Sequence, residues 1–197
     1  MTSFTFHFQN KEATMPAEIS NHKSILLVED DPRDAELTLS ALEEDHLASK
    51  VALVSNGAEA LDYLYRRGTF KARTGGPPIL VMLDLKMPLV NGLEVLQVMK
   101  GDGQLRTIPV VVLTSSREPV DLSACYQHGA NAYVVQPLDF SEFMTAIKQL
   151  GVFWTAVNEP PPIRCREHSE GHWGNPMMGG KERVENEIAA AHSALRG

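Results

Sequence analysis

Three carboxylate residues stand directly after short apolar segments of this chain. Asp84 follows the run 79–83, and the pair Glu29 and Asp30 follows the run 25–28. Carboxylates held close together repel one another, so such a group is stable mainly with a bound cation or a shared proton. Mg²⁺ prefers a site of oxygen ligands with few protein carboxylates. We therefore expect a magnesium site at which Asp84 acts as a nucleophile toward a phosphoryl group.

Two further polar residues close later apolar segments in the same way. Thr114 ends the run 109–113, and Gln136 follows the run 132–135. A hydroxyl or amide group at such a place can donate a hydrogen bond. We expect the Thr114 hydroxyl to bind one oxygen of the phosphoryl group.

The elements that position these residues are short apolar segments alternating with helical patterns. Aliphatic runs bounded by glycine and proline are typical of buried strands in a parallel sheet, and ligands bind at the carboxyl ends of such strands. Five strands alternating with five helices predict a doubly wound α/β sandwich with a five-stranded parallel sheet. The predicted strands are 24–28, 51–54, 79–83, 109–114 and 132–135. The predicted helices begin at Pro32, Asn56, Asn91, Asp121 and Ser141. The first helix is expected to end near Asp45 and the last near Val157.

The length of the chain indicates one domain with extensions. Its 197 residues, 43% of them hydrophobic, can bury one full core but are few for two independent domains. We expect a flexible leader at 1–22, the domain at 23–157, and an irregular C-terminal tail at 158–197. Four apolar residues within 181–196 share one helical face, which favours a short helix, but the alternative of a frayed tail stays open.

Charge and composition argue against several classes of function. The net charge is −7 and no basic recognition helix stands out, which argues against nucleic-acid binding. No apolar stretch approaches membrane-spanning length, and the first residues lack the pattern of a secretory signal. Two cysteines are too few for a disulfide framework and suit a reducing compartment. We expect a soluble cytoplasmic protein without nucleic-acid or membrane contacts.

Four motifs follow one another in a fixed order along the predicted domain. They are Val28-Glu29-Asp30-Asp31, then Leu83-Asp84-Leu85-Lys86-Met87-Pro88 with Asn91-Gly92, then Leu113-Thr114-Ser115-Ser116, and finally Gly129-Ala130-Asn131-Ala132-Tyr133 leading into Gln136-Pro137. From about Ser24 to Val157 the chain thereby resembles the response-regulator receiver domains of two-component signalling. The resemblance implies a flavodoxin-like fold that takes a phosphoryl group from a histidine kinase with the help of Mg²⁺.

The resemblance also implies a role for individual residues. It makes Asp84 the phosphoacceptor, Glu29 and Asp30 the metal-binding acids, and the backbone carbonyl of Lys86 a further metal ligand. Thr114 and Tyr133 match the switch pair of the family, although an aromatic residue in a strand is ordinarily a packing residue. It further suggests that the peptide bond between Gln136 and Pro137 is cis.

A narrower resemblance connects the chain to the small receivers that partner phytochrome-type histidine kinases. It lies in the long connection at 66–78, in the run 108–114, and in Val152-Phe153-Trp154 near the end of the last helix. It implies a homodimer through this end of the helix. On a helical wheel Trp154 joins the core stripe, whereas Val152 and Phe153 fall outside it, which favours a partner surface. The alternative is that the tail folds back over them.

The chain departs from the family at Gln136, where receivers place a lysine. A neutral hydrogen bond contributes about 1 kcal/mol, whereas a bond to a charged partner contributes roughly 1.5–3 kcal/mol. We therefore expect Asp84 to remain competent while the response to phosphorylation is blunted.

Three functions compete on these observations. The first is a stand-alone receiver that signals through protein contacts without an output domain. The second is a pseudo-receiver that acts as a dimeric adaptor independently of phosphorylation, for which Gln136 is the motivating feature. The third is a phosphatase that passes through an aspartyl-phosphate. A phosphatase needs a second acid two residues after Asp84 as proton donor, and Lys86 stands there. We therefore expect no enzymatic activity beyond self-catalysed phosphorylation and dephosphorylation.

Overall fold

Five parallel strands form one sheet within the residues that the computed structural model describes, which are 24–43, 47, 50–136 and 139–159. The strands are β1 (Ile25–Val28), β2 (Val51–Val54), β3 (Leu80–Leu83), β4 (Val110–Thr114) and β5 (Ala132–Val135). They are ordered β2-β1-β3-β4-β5. β1, β3 and β4 are buried along their whole length because helices cover both faces of the sheet.

Helices connect successive strands. They are α1 (Pro32–Glu43), α2 (Gly57–Tyr65), α3 (Gly92–Gly101), α4 (Pro119–Gln127) and α5 (Phe140–Val152), and α5 continues into a π-helical turn at Phe153–Val157. Side chains cap several of the helix starts and satisfy backbone N–H groups that lack an intrahelical partner. Asn56 accepts a hydrogen bond from the N–H of Glu59, and Asn91 forms a capping box with Glu94. The Asn-Gly pairs in the sequence therefore mark helix starts, as predicted.

The two faces of the sheet bury separate apolar clusters. α1 and α5 pack together on one face, where Leu42, Phe143 and Ile147 meet alternate residues of the strands. α2, α3 and Cys125 of α4 cover the other face. Because alternate strand residues point to opposite faces, each strand contributes to both clusters.

The long connection between α2 and β3 is ordered by aromatic and arginine side chains. The guanidinium of Arg73 lies 4.3 Å above the Tyr63 ring, and Phe70 meets the same ring edge-on with centroids 5.3 Å apart. A short 3-10 turn at Gly68–Phe70 lies within this segment. These contacts hold the connection against α2.

The predicted fold class is confirmed, and the largest differences from the predicted helix boundaries are at the start of α4 and the end of α5. α4 begins at Pro119 rather than near Asp121, because proline is well suited to the first turn of a helix. The last helix is α-helical only to Val152 and changes to the π-helical turn before Val157.

Several predictions concern residues that the structure does not describe. They are the leader at 1–22, nearly all of the tail with its helix at 181–196, and the cis peptide bond before Pro137. These features and the domain bounds stay predictions. Among the described residues, no helix combines the length and the apolar character that crossing a membrane would require.

Candidate functional site

The register of β1 and β3 sets two acidic residues side by side. Val28 of β1 pairs with Leu83 of β3. Glu29 directly follows Val28 in the sequence, and Asp84 directly follows Leu83. The N–H of Asp84 donates to the carbonyl oxygen of Val28 at 3.0 Å. The hydrogen bonding of the sheet therefore continues to the start of the site and fixes the positions of both acids.

The structure brings together the three acids that the sequence singles out. Carboxylate oxygens of Glu29, Asp30 and Asp84 all lie within 4.8 Å of one another. Glu29 is buried, Asp84 is half-buried and Asp30 is exposed, so the cluster opens to solvent on the side of Asp30. Three carboxylates at this spacing fit a hard divalent cation that keeps part of its water shell, as Mg²⁺ does.

Backbone N–H groups hold two of these carboxylates in place. The N–H of Asp31 donates to Glu29 Oε1 at 3.2 Å, and the N–H of Lys86 donates to Asp84 Oδ2 at 3.0 Å. The Lys86 bond shows that the turn after β3 folds back toward the Asp84 carboxylate. The side chain of Lys86 is exposed.

Gly92 lets α3 pack closely against this turn. Its N–H donates to the carbonyl oxygen of Leu85 at 3.0 Å. A Cβ atom at position 92 would collide with the carbonyl oxygen of Asp84 and come within 2.8 Å of Leu85 Cα. A side chain at this position would therefore displace the backbone that carries Asp84.

Burial, together with smaller contributions from nearby acidic charges, raises the pKa values of Glu29 and Asp84. Burial, with a smaller contribution from the charge of Asp84, raises the pKa of Glu29 from 4.5 to about 8. Burial likewise raises the pKa of Asp84, although its backbone hydrogen bonds from Leu85 and Lys86 oppose the shift. Glu29 is therefore largely protonated at neutral pH when no cation balances the site.

Asp34 is a fourth acid of this neighbourhood. It lies in the first turn of α1, and its charge contributes to the raised pKa values of both Glu29 and Asp84. Its own pKa is raised by burial and by the charges of Asp31 and Asp30. Asp34 is not among the site residues predicted from the sequence. Its place in the first turn of the helix that follows Glu29 and Asp30 was the signal that could have found it.

Thr114, Gln136 and Tyr133 lie at the ends of the next two strands. Thr114 is the last residue of β4, is fully buried, and pairs with Val135 of β5. The backbone N–H of Gln136 donates to the carbonyl oxygen of Thr114 at 2.8 Å, so Gln136 stands at the same edge of the sheet. The Tyr133 hydroxyl donates to the carbonyl oxygen of Ser116 at 3.1 Å, and its ring packs against the core.

Val152, Phe153 and Trp154 lie away from this edge, at the end of α5. Val152 and Phe153 are 37% and 47% exposed, as the helical wheel predicts, whereas Trp154 packs against the core. The rings of Phe153 and Trp154 meet edge-on at 5.2 Å.

Comparison with protein families decides the classification. The family model of the response regulator receiver domain matches residues 25–148. The chain belongs to the response-regulator receiver family. The five-stranded parallel sheet with the order β2-β1-β3-β4-β5 is thus the fold of a receiver.

Known relatives of this receiver include phytochrome-associated response regulators. Response regulator Rcp1 of Synechocystis sp. is 31% identical over 140 residues, which are 71% of this chain and 94% of Rcp1. The solved Mn(2+)-bound form of Rcp1 aligns with a TM-score of 0.66, 30% identity, and 71% and 99% of the two chains covered. The phosphorylated cyanobacterial phytochrome response regulator RcpA aligns with a TM-score of 0.67, 34% identity, and 72% and 99% covered. The bacteriophytochrome response regulator AtBRR is 57% identical, with a TM-score of 0.57 and 70% and 98% covered.

Proposed function

We propose that this receiver accepts a phosphoryl group on Asp84 from a histidine kinase and passes the signal on through protein contacts. The observation that carries the proposal is the cluster of Glu29, Asp30 and Asp84, whose oxygens lie within 4.8 Å of one another. The similarity to RcpA, which was solved in a phosphorylated form, supports it.

The chemistry is a displacement at phosphorus. A carboxylate oxygen of Asp84 attacks the phosphorus of a phosphohistidine, a new O–P bond forms, and the N–P bond to the imidazole breaks. The electron pair of that bond leaves with the imidazole. Asp84 must be ionised to attack, and the backbone N–H of Lys86 stabilises the ionised form.

A divalent cation fits the site and would be held by Glu29, Asp30, Asp84 and the Lys86 carbonyl. When bound, Mg²⁺ supplies positive charge that offsets the repulsion among the acids and the charge of the incoming phosphoryl group. The Mn(2+)-bound form of Rcp1 supports a divalent ion here. Hydrolysis of the Asp84 phosphoryl group would be self-catalysed at the same site.

Thr114 and Gln136 are the neighbours that we propose receive the phosphoryl group. The Thr114 hydroxyl donates to one phosphoryl oxygen, and the Gln136 amide donates to another. Because this amide is neutral, it stabilises the phosphorylated state less than the lysine of other receivers would. The response of this receiver to phosphorylation is accordingly blunted.

The partners that we propose are a phytochrome-type histidine kinase and a second copy of this chain. The kinase follows from the similarity to RcpA and AtBRR, whose names connect them to phytochromes. We infer the self-association from an open cleft of about 910 Å³ along α5. Phe140, Met144, Val152 and Phe153 are among the residues that line it. Exposed apolar side chains grouped in this way are typical of a protein interface.

The proposal is tested by incubation with Mg²⁺ and a small phosphodonor, followed by intact mass measurement. The wild type should gain the mass of one phosphoryl group, and Asp84→Asn should gain none. A wild type that gains no mass in the presence of Mg²⁺ would exclude phosphorylation and favour a dimeric adaptor that works without it.

A further inference from the structure

We propose that Ser116 and Asp121 form a positioning pair that couples the Thr114 hydroxyl and the Tyr133 ring to helix α4. The inference deepens the proposed function, since it concerns how a phosphoryl group on Asp84 would reach the surface.

Ser116 is 3% exposed and lies at the centre of this network. Its N–H donates to Thr114 Oγ1 at 3.2 Å, and its hydroxyl donates to Asp121 Oδ2 at 2.6 Å. Its carbonyl oxygen accepts the hydrogen bond of the Tyr133 hydroxyl at 3.1 Å. One residue therefore contacts β4, β5 and α4.

The hydrogen bond from the Ser116 N–H orients the Thr114 hydroxyl so that its proton can be donated. A threonine hydroxyl has one proton to donate and two lone pairs to accept with. The Ser116 N–H occupies one lone pair of Thr114 Oγ1, and this leaves the proton for an oxygen of the phosphoryl group. A shift of the Ser116 backbone would release the Thr114 hydroxyl from this orientation.

The bond to Asp121 fixes the Ser116 backbone relative to α4. An O–H···O distance of 2.6 Å is typical of a charge-assisted hydrogen bond, which is about twice as strong as a neutral one. Ser116 Oγ also accepts from the N–H of Glu118 at 3.4 Å, whose own side chain makes no capping bond. The start of α4 is therefore anchored through Ser116 rather than through its N-cap side chain.

The solvent-exposed surface of α4 is where this coupling would change the surface of the protein. Val120, Leu122 and Tyr126 are 76%, 41% and 52% exposed, so a displacement of the helix changes an exposed apolar surface. Because Tyr133 and Thr114 share the Ser116 backbone, their positions change together when Ser116 moves.

The first test needs no phosphorylation. In protein with ¹³C-labelled tyrosine, the Tyr133 ring signal is assigned by its loss in Tyr133→Phe, and its shift is then compared in Ser116→Ala and Asp121→Asn. Both variants remove a hydrogen bond to a charged group. We therefore expect the population in which the Tyr133 hydroxyl is bonded to the Ser116 carbonyl oxygen to fall about tenfold in each. Ser115→Ala, a change at the exposed neighbour, should leave the signal in place.

A double variant separates positioning from general stability. If the two residues act as one unit, Ser116→Ala/Asp121→Asn moves the Tyr133 signal no further than either single change. Additive shifts, or an unmoved signal in both single variants, would overturn the proposal. Should Ser116→Ala not fold, an unmoved Tyr133 signal in Asp121→Asn alone overturns the proposal, and a shifted signal supports it.

The second test follows amide shifts of α4 on phosphorylation, with intact mass recorded on the same sample. In Asp121→Asn we expect the mass gain to persist while the α4 shifts fall by about half or more, because the helix has lost its charged anchor to Ser116. Unchanged α4 shifts would contradict the positioning role. A wild type that takes no phosphoryl group would contradict the proposed function and leave the Tyr133 test intact.

Discussion

Glu29 and Asp84 lie side by side because each directly follows one member of the Val28–Leu83 pair that joins β1 to β3. Their carboxylate oxygens lie within 4.8 Å of each other, and the pKa values of both groups are raised. Charge balance at this edge of the sheet is therefore the property through which the site responds to protons, metal ions and phosphate.

Metal binding should depend on pH. Since the pKa of Glu29 is about 8 in the folded metal-free chain and 4.5 in the unfolded chain, its contribution to stability is present below pH 4.5 and lost as the pH rises through 8. A cation must displace this proton, so its affinity should increase about tenfold per pH unit between pH 6 and 8. Thermal unfolding with and without Mg²⁺ at pH 6, 7 and 8 should show a widening gap in Tm.

Glu29→Gln is the control for this pH effect. The glutamine carries no titrating proton, so the metal-free variant should lose less stability than the wild type between pH 6 and 8. Its gap in Tm should stay small at every pH, because one carboxylate ligand is missing. A wild-type gap that is constant across this range would show that Glu29 does not titrate with metal binding.

Gln136→Lys should strengthen the response to phosphorylation. The lysine adds a charge-assisted bond to the phosphoryl group, worth roughly 1.5–3 kcal/mol against about 1 kcal/mol for the amide. The NMR shifts produced by a phosphoryl mimic should therefore be larger in the variant. Gln136→Met keeps the length without a donor and should give shifts no larger than the wild type. Equal shifts in the lysine variant and the wild type would show that the neutral Gln136 amide does not blunt the response.

Gly92→Ala should displace the backbone of the phosphoacceptor Asp84. The added methyl group collides with the Asp84 carbonyl oxygen, so we expect a loss of about 1–3 kcal/mol in the free energy of unfolding and slower phosphorylation. Urea denaturation and intact mass measure the two effects. Gly101→Ala in the same helix meets no atom within 4 Å and should leave phosphorylation unchanged. If both variants behave alike, close packing at Gly92 is not what positions Asp84.

Phe153→Glu should weaken self-association without unfolding the receiver. Phe153 is 47% exposed, so a charge is tolerated in the monomer but not in an apolar interface. We expect the dimer to dissociate at about thirtyfold higher concentration, as for loss of an aromatic anchor worth about 2 kcal/mol. Sedimentation velocity over a concentration series measures this.

Val120→Glu places the same charge on α4, where the wild-type valine is 76% exposed, and should leave the association unchanged. Dissociation by both variants, or by neither, would place the interface elsewhere than at the end of α5.

The sequence predicts the sheet edge well because its signals are local. Aliphatic runs that stop at a carboxylate identify strand ends, and parallel strands bring their carboxyl ends to one edge. Glu29, Asp30 and Asp84 meet for this reason, and Asn91 begins α3 because its side chain can cap a helix.

Other features of the site arise only from the folded geometry. The hydrogen bonds of Ser116 depend on a turn that brings its hydroxyl to Asp121 five residues later, and no spacing rule indicates that contact. The pKa of Glu29 depends on how deeply the residue is buried, which the strand pattern does not give. The approach of Gly92 to the Asp84 carbonyl depends on the packing of α3, so the sequence shows only an Asn-Gly helix start.

Phosphorylation of Asp84 is tested by locating the phosphoryl group in the chain. After reaction with a small phosphodonor and Mg²⁺, borohydride reduces an aspartyl-phosphate to homoserine, and mass spectrometry of peptides then identifies the modified position. If Asp84 is the phosphoacceptor, homoserine is found at position 84 and at no other aspartate. Homoserine at Asp30, Asp31 or Asp34, or its absence from position 84 in protein that gained the phosphoryl mass, would contradict it.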